Sequence, residues 1–563
     1  MKKFLLYMIC SLLPFMSVSQ QWPRNPSFKQ VRLGGESKKR VVMSYDFLKQ
    51  AAHSLTDSVK SHPGDAHCVA EAARVAHALS IEAMALGEHP AELDSLMSGL
   101  TAQFNGHGYW GAPAGSKLDE GQLACNGLLL KALCGYYRYH RSDSLKQRIS
   151  QLAHRMFAQH IKGLKRYTLS PRTSLWSKLK FWDRKGRGWR FSQQRGELLE
   201  AIGGLVQAYE VLNDSSLVPV VDVLVRRAQE SSPKLPVHYL TAALRAQLQW
   251  AEITADAKLA AWVQQRYDRL VQEKLTASFE IAACDSVTSV SATADAFMLA
   301  NDLWRFSGDT RYLELLQLIY CNALVTMQSS NGSLVPHNVP TASNPFLRAM
   351  PQSPVESLSQ GAEALANYDR MWAAMSSDTV YINYFTTAVS GFRGAKSFSM
   401  IQSSTYPADE RSMSLMMLKA PEDELTWKVF IPHWLKDVKF KVSEEPDTVV
   451  NPQLDAAVVD ASGYLTFRTA FVDYGVVNME FADSAHVETL PALACRRALA
   501  GPLLLGLQTD SIARLPANLS LQQQSGRWKV KNSGRTLSPV VNIMPRSLRD
   551  PQSKLPQVLF PLQ

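Results

Sequence analysis

GELLEAIGGLVQAYEVLNDSSLVPVVDVLVRRAQE, residues 196–230, is the stretch whose reading decides the fold. Apolar residues recur three and four positions apart through GELLEAIGGLVQAYEVL. A short polar turn follows, and the spacing resumes in LVPVVDVLVRRAQE, which is the period of one helix face packed on a core. Asp214 stands in the turn, where a carboxylate accepts a backbone N–H of the next helix. The same unit, an aromatic-ended helix, a turn with Asp and a second helix, recurs at YYRYHRSDSL around Asp143, QWAEITADAKL around Asp256 and LWRFSGDTRYL around Asp309. From about Tyr45 to Trp372 the helical period continues, giving twelve segments or six hairpins. Helix-pair repeats build an open solenoid or a closed ring. Twelve helices in six pairs favour the closed (α/α)6 toroid.

After about Ser377 the rhythm changes. TVYINYFTTAV, SFSMIQSSTYP, SMSLMMLKA, LTWKVFIPHW, DVKFKVSEE, GYLTFRTAFV and GVVNMEFAD are short runs, partly alternating, rich in Val, Phe, Tyr and Thr and divided by turn residues. Such strands make an antiparallel β-sandwich, and the C-terminal stretch around Trp528 adds a strand or two and wraps back. The expected organisation is a signal segment over 1–20, the toroid over 21–376, and the sandwich with its C-terminal wrap over 377–563.

The chain has 563 residues, 46% hydrophobic and 20% charged. These values exclude a disordered, collagen-like or disulfide-scaffold chain. Lys2 and Lys3, the apolar run FLLYMICSLLPFM and the small residues Ser17-Val18-Ser19 form a secretory signal pattern. The apolar run is shorter than the ~18 residues a bilayer span requires, so an exported protein, periplasmic or extracellular, with no transmembrane segment is expected. Cys68, Cys125, Cys134, Cys284, Cys321 and Cys495 are irregularly spaced, mostly in apolar helical surroundings, and read as buried free thiols. No CxxC or HExxH announces a metal.

The formal charge is +10. Residues 161–195 carry eleven Lys and Arg against Asp183, interleaved with Tyr167, Trp176, Phe181, Trp182 and Trp189. Such a segment can hold an acidic polysaccharide, a nucleic acid or a lipid surface, or it can be a solvated insertion whose aromatics pack on the domain beneath. For an exported chain an acidic glycan is a better partner than nucleic acid.

Several stretches resemble the β-L-arabinofuranosidases of glycoside hydrolase family 127. They are HGYWG at 107–111, LDEGQLACNGLLLKALCGYY at 118–137, WRFSQQRGELLEAIGGLVQAYEVL at 189–212 and HYLTAALRAQLQWAEITAD at 238–256. DAFMLANDLWRFSGDTRYLELLQLIYCNAL at 295–324, GAEALANYDRMW at 361–372 and CRRALAGPLLLGL at 495–507 continue the likeness in order along nearly the whole chain. The resemblance implies a toroid, a sandwich and cleavage by a cysteine thiolate. In the family a zinc ion held by a glutamate and three cysteines keeps that thiolate deprotonated. Here the corresponding positions are Ser289, Ser291, Val355 and Glu356. The expectation is therefore a divergent member without the zinc–cysteine site and without a metal cofactor.

Glycoside cleavage generally needs two carboxylates. Glu280, in LTASFEIAACDSV, corresponds to the family's acid/base, and Glu356 stands where a thiolate is lost; an exposed loop carboxylate and a helix-start Glu are the plainer roles. Asp285, Asp119 and Glu120 are further candidates, the last two equally suited to starting a helix. Tyr109 and Trp110, in a glycine-flanked loop, suit stacking on a sugar ring. Asn126 and His238 correspond to polar positions of the family site, and Arg190 and Arg195 suit a uronate carboxylate. The expected function is hydrolysis of an arabinose-containing or acidic polysaccharide. The alternatives are a non-catalytic glycan-binding protein and a polysaccharide lyase.

Overall fold

The computed structural model describes residues 22–562 apart from 114, 116, 170–186, 194, 231–234, 351–354, 394–395, 409, 444–458, 516–520, 525–526, 532 and 545–553. Met1–Gln20, with its signal pattern, and most of the basic insertion lie outside the described residues.

Among the described residues, twelve helices of nine residues or more form the N-terminal part: α1 (Gly35–Ser61), α2 (Ala66–Leu86), α3 (Ala91–Ala102), α4 (Glu120–Tyr139), α5 (Asp143–Leu152), α6 (Ala201–Leu212), α7 (Val218–Gln229), α8 (Val237–Thr254), α9 (Ala257–Lys274), α10 (Val290–Ser307), α11 (Arg311–Ile319) and α12 (Val355–Met371). The even-numbered helices pack in a ring, α2 on α4, α4 on α6, then α8, α10 and α12, which closes back on α2. The odd-numbered helices lie outside them. The array is a closed (α/α)6 toroid.

Local chemistry starts and stops these helices. Asp65, Asp119, Asp214, Asp256 and Ser289 each accept a backbone N–H from the following turn, and Ser142, rather than Asp143, caps α5. The inner helices are rich in small residues because six must meet around one axis. Gly127 of α4 and Gly204 of α6 mark the tightest crossing: a Cβ on Gly127 would lie 2.4 Å from the Ala201 Cα, and one on Gly204 2.2 Å from the Gly127 carbonyl oxygen.

Among the described residues, the sandwich is a six-stranded sheet on a four-stranded one. The first runs Val31–Leu33, Ala388–Phe392, Phe398–Ser403, Ser412–Lys419, Val476–Asp483, Leu435–Ser443. The N-terminal strand therefore belongs to the sandwich and clamps the start of the toroid to it. The second runs Tyr464–Thr469, Leu425–Phe430, Thr379–Ile382, Ala373–Ser376, antiparallel except where Thr379–Ile382 meets Leu425–Phe430. Burial alternates residue by residue along Phe398–Ser403 and Ser412–Lys419, as expected of strands with one face on a core. Phe398 of one sheet meets Trp427 of the other edge-to-face at 5.9 Å.

The C-terminal stretch does more than add a strand or two. It forms a third sheet, Ala485–Leu490, Cys495–Ala500, Leu503–Gln508, Thr536–Pro539, Arg527–Val530 and Leu521–Gln524, and two short strands at 556–557 and 560–561 return to it. Phe279 and Leu347 of the toroid loops share a core with Cys495, Leu499, Leu504 and Leu559 of this sheet. The wrap back onto the toroid is thus a hydrophobic seam. Among the described residues no helix is long and apolar enough to cross a membrane.

Candidate active site

In the closed ring, the segments leading into the inner helices gather at one end of the toroid. These segments carry most of the residues singled out from sequence. Trp110 and Tyr109 are largely buried. The Asn126 side chain accepts the Trp110 N–H at 3.0 Å and donates to the Trp110 carbonyl at 3.0 Å, so this buried amide pins the loop to α4. Arg190 is three-quarters exposed and lies 3.6 Å from Asp119. His238 begins α8 and packs on the Tyr239 ring, centroids 4.1 Å apart. The Arg195 guanidinium lies over the Phe191 ring, and Trp189 packs between Tyr167 and Phe191. The described aromatics of the basic insertion are therefore turned onto the domain; Trp176, Phe181 and Trp182 lie outside the described residues.

Glu280 and His337 are fully buried and meet at 2.6 Å, Glu280 Oε1 to His337 Nδ1. They sit behind the first turn of α10: Thr293 accepts the Ile281 N–H, and the Thr288 hydroxyl donates to the His337 carbonyl. Glu280 Oε2 and His337 Nε2 have no hydrogen-bond partner among the described residues. Glu356 lies in the first turn of α12, its side chain outside the described residues. Asp285 sits in the exposed turn beside Cys284.

Of the positions that the resemblance sets against the family's zinc ligands, the two whose side chains are described, Ser289 and Ser291, carry neutral hydroxyls in place of zinc-binding groups. The Ser289 hydroxyl accepts the Ala292 N–H as the α10 cap, and Ser291 is a buried neutral hydroxyl. Cys284, the one exposed thiol of the six, contacts Ser286 at 3.4 Å. Among the described residues no group of three or more His, Cys, Asp or Glu is placed to hold a metal ion.

Two acidic clusters lie inside the toroid; Glu120 of the second is among the candidates named from sequence, and the other members are not. On the axis, Arg245 of α8 bridges Glu363 of α12 at 2.5 Å and Asp295 of α10 at 3.5 Å. Lys131 of α4 adds to Glu363 at 3.4 Å and His77 of α2 at 3.6 Å. Burial pushes Asp295 up to about 6 against the pull of Arg245. Burial opposes ionisation of Glu363 too, but Arg245 and Lys131 hold it well below the usual carboxylate range. Burial drives His77 down to about 4, so it is neutral. The axial cavity bordered by Lys131, Glu200, Arg245, Asp295 and Gln360 has a volume of about 30 Å³.

The second cluster lies where the chain enters α6. Buried Glu120 accepts the Tyr167 hydroxyl at 2.5 Å and the backbone N–H groups of Gly196 and Ser192. Glu200 pairs with Arg74 at 2.7 Å. Glu197, partly exposed, shares the 3₁₀ turn Glu197–Glu200 with Glu200, three residues on, where such side chains eclipse. Burial and the carboxylates of Glu120 and Glu200 push Glu197 up to about 7, opposed by Ser192 and Arg74. A carboxyl titrating near neutrality, reachable and flanked by other carboxylates, has the features of a proton donor.

No family model matches the chain, and no curated protein matches it. Solved structures do. A family 127 β-arabinofuranosidase superposes with a TM-score of 0.72 at 13% identity, covering 97% of this chain and 98% of that one. The chain carries the fold of the family 127 glycoside hydrolases. The family 127 β-L-arabinofuranosidase of Geobacillus stearothermophilus T6 gives 0.69 at 13% identity over 95% and 100%, and a further glycoside hydrolase 0.69 at 13% over 97% and 99%. The likeness extends through the toroid, the sandwich and the third sheet, at a level of identity consistent with a divergent sequence. Glu197 left one signal in the sequence: it and Glu200 lie three apart in RGELLE, at the head of the stretch that sets the helical repeat.

Proposed function

We propose that the chain is an exported glycoside hydrolase that cleaves a bond in an arabinose-containing or acidic polysaccharide with carboxylates alone. The observation that carries this reading is Glu197, a partly exposed carboxyl at the entrance to an inner helix, raised to about 7 by burial, Glu120 and Glu200. Glu197 holds its proton near neutral pH and gives it to the departing glycosidic oxygen. Glu200, oriented by Arg74, borders the axial cavity, whose volume of about 30 Å³ suits a single water. It accepts a proton from the water that attacks the anomeric carbon. Each bond change is then matched by one proton moving to or from a carboxylate. Glu280, enclosed with His337, touches no substrate in this scheme; it fixes the loop that leads into α10. Export rests on Lys2, Lys3 and the apolar run behind them.

Incubation with arabinofuranosides and pectic oligosaccharides tests the proposal through new reducing ends. Glu197→Gln is expected to lose at least ~100-fold in kcat/KM, and the wild-type profile to fall as pH rises through about 7, where Glu197 loses its proton. Unchanged turnover in Glu197→Gln would refute the assignment, and products absorbing in the ultraviolet would indicate a lyase. A second reading, glycan binding without turnover, draws support from the axis, where Arg245 and Lys131 border a cavity too small for a sugar ring. Binding with no reducing ends on any substrate would favour it.

A further inference from the structure

Beside the toroid, away from the axis, lies a cavity of about 500 Å³ where all three parts of the fold meet. The start of α1, the π-helical turn Tyr320–Leu324 after α11 and the end of α12 form one wall. Loops of the sandwich and the third sheet form the others. A smaller cavity of about 210 Å³ continues it past Glu36, Arg40, Val325 and Val541. The combined space falls in the range of ~300–1,000 Å³ typical of small-molecule sites.

The wall is held rigidly. The Asn322 side chain, in the π turn, donates to the Pro502 carbonyl at 2.7 Å and accepts the Leu504 N–H at 2.7 Å, which fixes the turn to the third sheet. π turns of this kind recur at functional sites. This one presents Tyr320, whose ring stacks on Tyr368 with centroids 3.5 Å apart and an interplanar angle of 5°. Tyr384 stacks on the same ring at 4.7 Å and donates its hydroxyl to the Tyr368 carbonyl.

Tyr320 and Tyr368 are 7% and 6% exposed, and both border the cavity. Neither phenol has a hydrogen-bond partner among the described residues, although a buried tyrosine hydroxyl ordinarily finds one. The opposite wall complements them. Thr386 donates its hydroxyl to Asp369, Thr387 to the Ser404 carbonyl, and Ser404 to the Ser412 carbonyl. Thr387 and Ser404 each also accept one backbone N–H, from Ser404 and Tyr406, so with its donor turned inward each of these oxygens keeps at least one lone pair for a ligand's hydroxyl group. The Arg40 guanidinium is already engaged by Glu36, Val325 and Gln328, so it does not demand an anion.

We infer that this cavity is a carbohydrate-binding site, separate from the toroid axis, that takes one or two sugar units of a neutral glycan. Flat aromatic edges, two free phenols and a wall of hydroxyl acceptors match a ring that carries both donors and acceptors on every side. The inference stands whether or not Glu197 performs hydrolysis, and it gives the protein a grip on a chain outside the reacting unit.

The test is saturation-transfer NMR and calorimetric titration of the whole protein with L-arabinose, cellobiose, galacturonate and an alkyl detergent as probes. Binding of a neutral sugar is expected. The double variant Tyr320→Phe/Tyr368→Phe keeps the rings and removes both phenols, and should weaken binding about tenfold or more. Ala408→Trp, at the rim, should abolish it, and Glu197→Gln should leave it intact. Wild-type affinity in both cavity variants, loss of binding in Glu197→Gln alone, preference for galacturonate or detergent, or no sugar bound at about 10 mM would each overturn the inference. Near-ultraviolet circular dichroism of the variants reports whether the tyrosine stack is preserved.

Discussion

Arg245→Met isolates what holds the toroid axis together. Among the described residues Arg245 is the one group that touches both Glu363 and Asp295, at 2.5 and 3.5 Å. Met fills much of the same volume and removes the charge. Glu363 then keeps Lys131 at 3.4 Å, but among the described residues Asp295 keeps only the Thr241 hydroxyl, at 3.2 Å, as a hydrogen-bond partner. Breaking a buried pair by deleting one partner costs ~3–5 kcal/mol, because a charge is left without compensation. The pH dependence carries the sharper signature. Asp295, ordinarily at 3.8 and raised by burial to about 6, binds its proton more tightly when folded. Its contribution is neutral below about 4 and becomes destabilising as pH rises to about 6, by ~3 kcal/mol at ~1.36 kcal/mol per pH unit. Glu363 runs the other way: held low by Arg245 and Lys131, it contributes stability above its ordinary 4.5 that is lost as pH falls through its folded value. Without Arg245, Asp295 rises further, so the variant suffers most at pH 7 and recovers as Asp295 is protonated. Urea unfolding followed by helical circular dichroism at pH 5 and pH 7 measures both. A loss below ~1 kcal/mol at pH 7, or the same loss at both values, would show that the axis is not held by this ion network.

Gly127→Ala is expected to destabilise by at least ~1–3 kcal/mol, since its Cβ would lie within 2.4 Å of backbone in α6 and the ring must open to admit it; an unchanged thermal midpoint would contradict the crossing described. Of the six described thiols, Cys284 alone is exposed, and hydrogen bonding from Ser286 lowers it, while burial pushes Cys125, Cys134 and Cys321 up to about 12. A disulfide-exchange reagent should therefore titrate one of these six thiols rapidly in the folded protein and the other five only on unfolding.

The toroid was readable because each hairpin repeats one amphipathic period, and its order along the chain leaves little topological freedom. Asp214 and Asp256 cap helices as their turn positions foretell, and Asp309 accepts the Arg311 N–H; only at Asp143 does the neighbouring Ser142 take the cap. The third sheet was underestimated because strands such as RWKV and TLSP are four residues long and carry too few alternations to register a period. The axial cluster was hidden for a different reason. Arg245 and Glu363 are 118 positions apart, and in isolation each is a charged residue on a helix, which normally marks a solvated face. Only closure of the ring turns those faces inward. Trp110 and Asn126 show the converse: residues of suitable type in a suggestive loop are committed to each other's backbone and side chain.

Asp295 and Glu197 both titrate far above an ordinary carboxyl, yet only one is suited to proton donation, and the difference lies in what surrounds them. On the axis, Asp295 and Glu363 face Arg245 and Lys131, two anions against two cations, and Asp295 is raised first by burial and less by Glu363, against the pull of both cations. That cluster is a strut: neutralised, enclosed and without room for a ring. At the entrance to α6, Glu197 stands against Glu120 and Glu200, and among the described groups acting on it Arg74 is the cation that opposes them. Burial, reinforced by like-charge crowding, leaves a proton there near neutral pH, and partial exposure lets a substrate reach it. Asp295→Asn is therefore expected to alter stability while leaving the pH at which kcat/KM falls near 7, whereas Glu197→Gln removes that limb. If Asn at 295 abolished turnover and left stability unchanged, the roles of the two clusters would have to be exchanged.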